Sequence, residues 1–213
     1  RPGQGAARTR RHPGAPVKPA VRGARPALPR EVRIIGGQWK RSKLPVADRP
    51  GLRPTPDRVR ETLFNWLGAD LSGWRCLDAF AGSGALGFEA ASRGADEVVL
   101  LERDRHLVVS LSQSRERLKA QALRIEAADA LSWMPGCAPQ RFELVFIDPP
   151  FDAQLFDKAL AAAVRLVVPG GFVYLEADRA FDESQLAPLG LRLHRHLRAG
   201  TVHAHLLQAA SEG

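Results

Sequence analysis

The 213-residue chain is poor in cysteine. It has only Cys76 and Cys137, and neither lies in a Cys-x-x-Cys pair. That excludes a disulfide framework. Cys76 falls in an apolar run and reads as a small core hydrophobe. No uncharged apolar run approaches the roughly 20 residues of a membrane-spanning helix, so no membrane segment is expected. Residues 1–30 contain neither Asp nor Glu, and they lack the apolar stretch of a secretory signal. Their arginine content would suit a transit peptide, but scarce serine and repeated prolines argue against an amphipathic targeting helix. No internal repeat is present. The pairs His194-x-His196 and His203-x-His205 have no acidic or cysteine partners in pattern. They read as a polar outer sheet face, and no metal is expected.

What the chain does contain is unevenly placed charge. Residues 1–60 carry a net +13 and residues 61–213 a net −5. Such asymmetry points to a nucleic-acid-facing region on a more neutral body. Residues 1–30 are rich in Pro, Gly, Ala and Arg without apolar periodicity, and they read as a disordered basic tail. Three regions are expected: the tail at 1–30, an RNA-facing extension at 31–70 and a main domain at 71–210.

In the extension, Val32–Ile35 reads as a strand, Gly36-Gly37 as a turn and Gln38–Leu44 as the return strand. Thr55-Pro56-Asp57 reads as a helix start, with Thr55 as N-cap and Pro56 at the first helical position. Val59, Leu63, Trp66 and Leu67 form its apolar stripe. From Arg75 the pattern alternates. Strands are expected near 75–79, 97–102, 123–127, 142–147 and 171–177, and helices near 84–93, 106–120, 129–134 and 155–167. Such alternation predicts an α/β fold with a mainly parallel sheet. Leu191–Leu197 and Val202–Gln208, joined around Ala199-Gly200, should pair antiparallel at one edge.

Two strand-end motifs carry chemistry. In Asp78-Ala79-Phe80-Ala81-Gly82-Ser83-Gly84, the glycines let backbone approach a ligand, and the following helix N-terminus can hold an anionic group. Counting Gly87 completes Gly-x-Gly-x-x-Gly, which alone would also suit NAD. Glu102 ends the next strand, where a carboxylate can accept from both ribose hydroxyls. Asp129 follows the third strand and can receive an adenine amine, with the Ala130 N–H on a ring nitrogen. Both acids could instead merely cap helices. Taken together, Asp78, Gly82, Gly84, Glu102 and Asp129 resemble the S-adenosylmethionine site of class I methyltransferases, and Ala79, Phe80 and Arg103 belong to the same stretch.

The second motif is Asp148-Pro149-Pro150-Phe151. Two prolines stiffen the turn and remove donors while leaving carbonyls free to accept. A conjugated amine is a poor nucleophile. The Asp148 carboxylate and Pro149 carbonyl together could bind its two hydrogens and aim its lone pair at a sulfonium methyl. Phe151 could stack on a base.

The stretches Ile34–Lys40 and Leu52–Leu67, with Leu77–Gly87 and Phe146–Phe151, resemble the bacterial RsmD-type methyltransferases over roughly residues 31–208. The resemblance implies a Rossmann-like class I methyltransferase fold: a mainly parallel seven-stranded sheet, an antiparallel C-terminal edge hairpin and a small N-terminal β-hairpin and helix extension. It implies methyl transfer from S-adenosylmethionine to the N2 amine of a guanine in small-subunit ribosomal RNA. Adenine-N6 or glutamine-N5 transfer, and a non-catalytic ribosome-assembly binder, are the alternatives. By resemblance, Asp148, Pro149, Pro150 and Phe151 hold the target. Asp78, Ala79, Phe80, Gly82, Gly84, Glu102, Arg103, Asp129, Ala130 and Asp148 line the cofactor pocket. Arg53, Thr55, Asp57, Arg58 and Arg60 shape the RNA side, joined by Arg33, Lys40, Arg41 and Lys43 as phosphate contacts. A cytoplasmic monomer acting on this RNA or the assembling 30S particle is expected.

Overall fold

The computed structural model of the protein describes residues 30–150 and 153–213. Most of the basic tail, together with Phe151 and Asp152, lies outside the described residues. Among the described residues are two sheets. The larger has seven strands: β3 (Arg75–Asp78), β4 (Glu97–Glu102), β5 (Leu123–Ala127), β6 (Phe142–Ile147), β7 (Val167–Ala177), β8 (Leu191–Ala199) and β9 (Val202–Ala209). Their spatial order is β5-β4-β3-β6-β7-β9-β8. The first five run parallel, and β9 pairs antiparallel with both β7 and β8. The small sheet pairs β1 (Glu31–Arg33) with β2 (Lys43–Pro45).

The central strands are apolar on both faces because both are covered. One face packs against α1 (Asp57–Trp66), α2 (Ala85–Ser92) and α3 (Arg105–Leu118); the other packs against α4 (Ala130–Trp133), α5 (Ala153–Leu166) and α6 (Glu183–Leu186). The chain leaves β3 toward β4 and β5, then returns to β6 on the other side. The β3–β6 boundary is therefore the switch point, where a crevice opens beyond the strand C-termini. Asp78 ends β3 and Asp148 follows β6, so topology alone brings the two motifs together.

Every residue of α2 is buried. A helix with no solvent face must be sandwiched. Here it lies between the large sheet and residues 31–67, whose Val32, Ile34, Leu44, Leu63 and Phe64 share one core with Phe88 and Leu100. The extension is thus a third layer over α2 that joins the main core directly.

Three local expectations need correction. Gly36-Gly37 is no tight hairpin turn, and the return strand is only Lys43–Pro45. The Gln38 and Trp39 amides donate to the Ser92 carbonyl and hydroxyl of α2 instead of to a strand partner. Thr55 does not cap α1: Pro56 occupies the N-cap, with no side-chain cap bond. Finally, the strand expected from residue 171 extends back to Val167, across a register break opposite β6.

Candidate active site

The glycine turn after β3 is built around two carboxylates. Gly82 and Gly84 have φ of +55° and +83°, a region that disfavours side chains. A Cβ at Gly82 would approach Leu52 to 2.9 Å, and one at Gly84 would approach Leu111 to 2.6 Å. Conformation calls for glycine at both positions, and at Gly84 space does too, since the Phe88 ring would lie at 2.8 Å as well. Asp78 is buried and its Oδ2 accepts from the Gly87 amide at 3.0 Å. Its Oδ1 is buried without a hydrogen-bond partner. Burial pushes the carboxyl up to about 7, and nearby Glu102 adds to this. A buried orphan oxygen beside a glycine turn is what a cationic donor on a ligand would satisfy.

Glu102, at the end of β4, accepts from the Gly82 amide and from the Asp104 amide, both at 2.9 Å. It ties the glycine turn to the neighbouring strand. Asp129 caps α4, accepting from the Ser132 amide and hydroxyl at 3.1 Å, and stays exposed. Ala130 and Ala79 are buried, Phe80 is half-buried and Arg103 is exposed. The carboxylates and glycines expected for a nucleoside cofactor therefore lie along the C-terminal ends of the neighbouring strands β3, β4 and β5, and the orphaned Asp78 oxygen fits the ammonium end of S-adenosylmethionine.

Asp148 sits across the switch point, half-buried, with Pro149 buried behind it and Pro150 exposed. Phe151 lies outside the described residues. Beside Asp148 is a cluster that the motifs do not reveal. Glu176 of β7 is buried and accepts from the Thr55 hydroxyl at 2.6 Å and from Tyr174 Oη at 3.0 Å. The Thr55 hydroxyl also lies 3.4 Å from Asp148 Oδ2. Burial raises the Asp148 carboxyl well above the carboxylate range, with Glu176 and then Asp78 adding like-charge repulsion. Burial raises Glu176 as well, against the hydrogen bonds that favour its charge. The one available signal was Glu176 itself, an acid near the end of an otherwise apolar strand. Tyr174 is the chain's single tyrosine.

The basic residues divide. Arg33, Lys40, Arg41, Lys43, Arg53 and Arg58 are exposed. Arg33 pairs with Asp57 at 2.7 Å and Lys43 with Glu31 at 3.3 Å. They flank a groove of about 390 Å³ between β1–β2 and the start of α1, whose lining includes Thr55. Arg60 is a correction. It is fully buried, donates to the Thr55 and Arg33 carbonyls, and pairs with Asp57 and Glu89. It is a structural cation that no RNA phosphate can reach. His205 is likewise buried, accepting from the Phe181 amide at Nε2, with its Nδ1 3.1 Å from the Leu175 carbonyl oxygen. Among the described residues, no cluster of three metal-ligating side chains occurs and no helix is long and apolar enough to cross a membrane.

A family model described as conserved hypothetical protein 95 matches residues 32–208. Ribosomal RNA small subunit methyltransferase D of Escherichia coli K12 is 42% identical over 191 residues, covering 86% of this chain and 92% of that protein. The protein of the same name from Haemophilus influenzae is 39% identical, covering 84% and 94%. The solved structure of Escherichia coli yhhF superposes with a TM-score of 0.73 at 36% identity, covering 85% of this chain and 99% of that one. By sequence along nearly its whole described length, and by the sheet order that places its two strand-end motifs together, the chain belongs to the ribosomal RNA small subunit methyltransferase D family of class I methyltransferases.

Proposed function

We propose that the protein transfers a methyl group from S-adenosylmethionine to the exocyclic N2 amine of a guanine in small-subunit ribosomal RNA, in the cytoplasm. The observation that carries this reading is Asp148 at the switch point, one strand from the glycine turn, with the Pro149 carbonyl following it. S-adenosylmethionine, when bound, supplies an electrophilic methyl on a sulfonium. The chain's own residues do the rest. Asp78 receives the ligand's ammonium, Glu102 its ribose hydroxyls, and Asp129 with the Ala130 amide its adenine. Ala79, Phe80 and Arg103 flank these contacts. Asp148 and the Pro149 carbonyl accept the two amine hydrogens, which leaves the lone pair aimed at the methyl. Fixed acceptors of this kind lower the barrier because they need no reorganisation during reaction. Pro150 stiffens the turn, and Phe151 stacks on the base. Mass spectrometry of small-subunit RNA from cells lacking the protein tests the assignment: one methylated guanine should disappear. An unchanged guanine pattern, with loss of a methyladenine instead, would move the activity to adenine N6.

Glu102→Ala should weaken S-adenosylmethionine binding at least about tenfold, because two hydrogen bonds of about 1 kcal/mol each are lost and the Gly82 turn loses its anchor. Isothermal calorimetry measures this directly. Affinity equal to the unmodified protein would remove Glu102 from the cofactor site.

The exposed cations Arg33, Lys40, Arg41, Lys43, Arg53 and Arg58 form the proposed phosphate-contacting face of the 31–70 extension. RNA affinity should then fall steeply with salt. Replacing Arg53 and Arg58 together should weaken binding and flatten the log–log salt slope by a little under one unit per cation, without changing cofactor affinity. Filter binding at several salt concentrations reads the slope, and an unaltered slope would move the interface elsewhere.

A further inference from the structure

Thr55, Glu176 and Tyr174 surround Asp148 and have no part in the chemistry so far. They come from the loop before α1 and from β7, so only the folded chain assembles them. Thr55 Oγ1 lies 2.6 Å from Glu176 Oε2 and 3.4 Å from Asp148 Oδ2, and Tyr174 Oη lies 3.0 Å from the same Glu176 oxygen. Each hydroxyl carries one hydrogen. With both hydrogens directed at Glu176, neither stabilises a charge on Asp148, so the negative charge is better placed on Glu176 and the proton on Asp148. Two carboxyls that bracket one hydroxyl, one of them buried, keep one proton between them. The two hydroxyl bonds to Glu176 favour a protonated Asp148, the Thr55 hydroxyl and an ionised Glu176 as the resting arrangement.

The geometry also permits the reverse placement. The Asp148 proton passes to Thr55 Oγ1 as the Thr55 hydrogen passes to Glu176. The 3.4 Å step exceeds a formed hydroxyl bond, but such distances shorten when substrate closes a site. The Thr55 backbone is held for this role: its carbonyl accepts from the buried Arg60 Nε at 3.0 Å.

We propose that Thr55 and Glu176 are a proton store for Asp148, taking its proton when the substrate amine docks so that Asp148 meets the amine as a carboxylate. The proposal rests on the reading of Asp148 as the amine acceptor. As the N–CH3 bond forms, the S–CH3 bond breaks and its electron pair stays on sulfur. The nitrogen is left positive with one proton too many, and the Asp148 carboxylate takes it. The pair then holds two protons. One leaves to solvent through half-buried Asp148 as the methylated base departs, and the other returns to Asp148. One proton is released per methyl transferred. The charged groups facing the pair favour this cycle. Asp78 from β3 repels a lasting charge on Asp148, and Arg60 from α1 favours the return of charge to Glu176.

The test uses the full chain and the variants Thr55→Val, Thr55→Ser and Glu176→Gln. Infrared titration of the carboxyl stretch, with no RNA or cofactor and taken as the difference from Asp148→Asn so that the raised Asp78 carboxyl cancels, should show a carboxyl that stays protonated above the ordinary carboxylate range. In Glu176→Gln that signal should move to lower pH, because Asp148 loses its negative neighbour. With small-subunit RNA as substrate, Thr55→Val should lower kcat at least about tenfold with KM unchanged, and Thr55→Ser should restore it. Glu176→Gln should move the acidic limb of the pH profile downward. Absence of the high-titrating carboxyl, equal rates for Thr55→Val and Thr55→Ser, or a Glu176→Gln profile that loses rate without moving its limb would overturn the proposal. If the intact protein methylates no small-subunit RNA, the substrate reading fails while the infrared titration still decides the proton store.

Discussion

Asp148→Ala should reduce methyl transfer to small-subunit RNA by about a hundredfold or more while leaving S-adenosylmethionine affinity nearly unchanged. The rate loss is expected because the variant removes a preorganised acceptor, and single groups of this kind are worth roughly two to three orders of magnitude. Cofactor affinity should hold because the glycine turn is braced by Glu102 and Asp78 through the Gly82 and Gly87 amides, and neither contact involves Asp148. The fold should also hold. Deleting Asp148 removes a carboxyl that burial already disfavours and strands no partner: Thr55 keeps its 2.6 Å bond to Glu176. Methyl incorporation from labelled cofactor, calorimetry and thermal denaturation together separate these effects. Turnover near that of the intact protein would remove Asp148 from the chemistry.

Glu89→Ala should be the most destabilising single change outside the site. Glu89 is fully buried within α2 and accepts four donors: the Ile35 and Gly36 amides and Arg93 Nε at 2.9 Å each, and Arg60 Nη1 at 3.4 Å. Alanine leaves two buried cations and two amides without this partner. Breaking a buried ion pair from one side costs about 3–5 kcal/mol. For a chain of this size that corresponds to a fall in Tm of roughly 10 °C. The extension should loosen first, since these bonds clamp residues 35–36 and Arg60 to α2. Thermal denaturation reads the stability, and limited proteolysis near residues 38–53 reads the loosening. A Tm close to that of the intact protein would show that packing alone holds the extension. Glu89→Gln should fall between, because the amide oxygen still accepts while the charge and one acceptor are lost. Activity should decline with stability, since Arg60 also fixes the Thr55 backbone.

How much of this was legible without the structure depended on how local the signal was. The alternation from Arg75 onward, the glycine turn at Gly82 and Gly84 and the Asp148-Pro149-Pro150 turn are contiguous runs. Their periodicity and turn chemistry report backbone conformation directly. From them follow the parallel sheet, the antiparallel tail and the meeting of Asp78 with Asp148. The misread segments are those whose backbone groups find partners far along the chain. Gln38–Leu44 alternates as a strand would, yet its first amides bond to Ser92, some 53 residues away. Thr55-Pro56-Asp57 has the composition of a helix cap, yet the hydroxyl reaches Glu176, 121 residues on. Arg60 is indistinguishable in sequence from its exposed neighbour Arg58; only the helix phase and the buried Glu89 decide that one is structural and the other faces solvent.

The sequence by itself determined the fold class and the two strand-end motifs, because each is written in adjacent residues obeying local sterics and hydrophobic period. Tertiary structure decided which acids lie together, which arginines face solvent and what braces the glycine turn. Those are properties of distance and burial between segments, and a change of a few ångströms in low dielectric alters charge energies more than any difference in residue type along the chain.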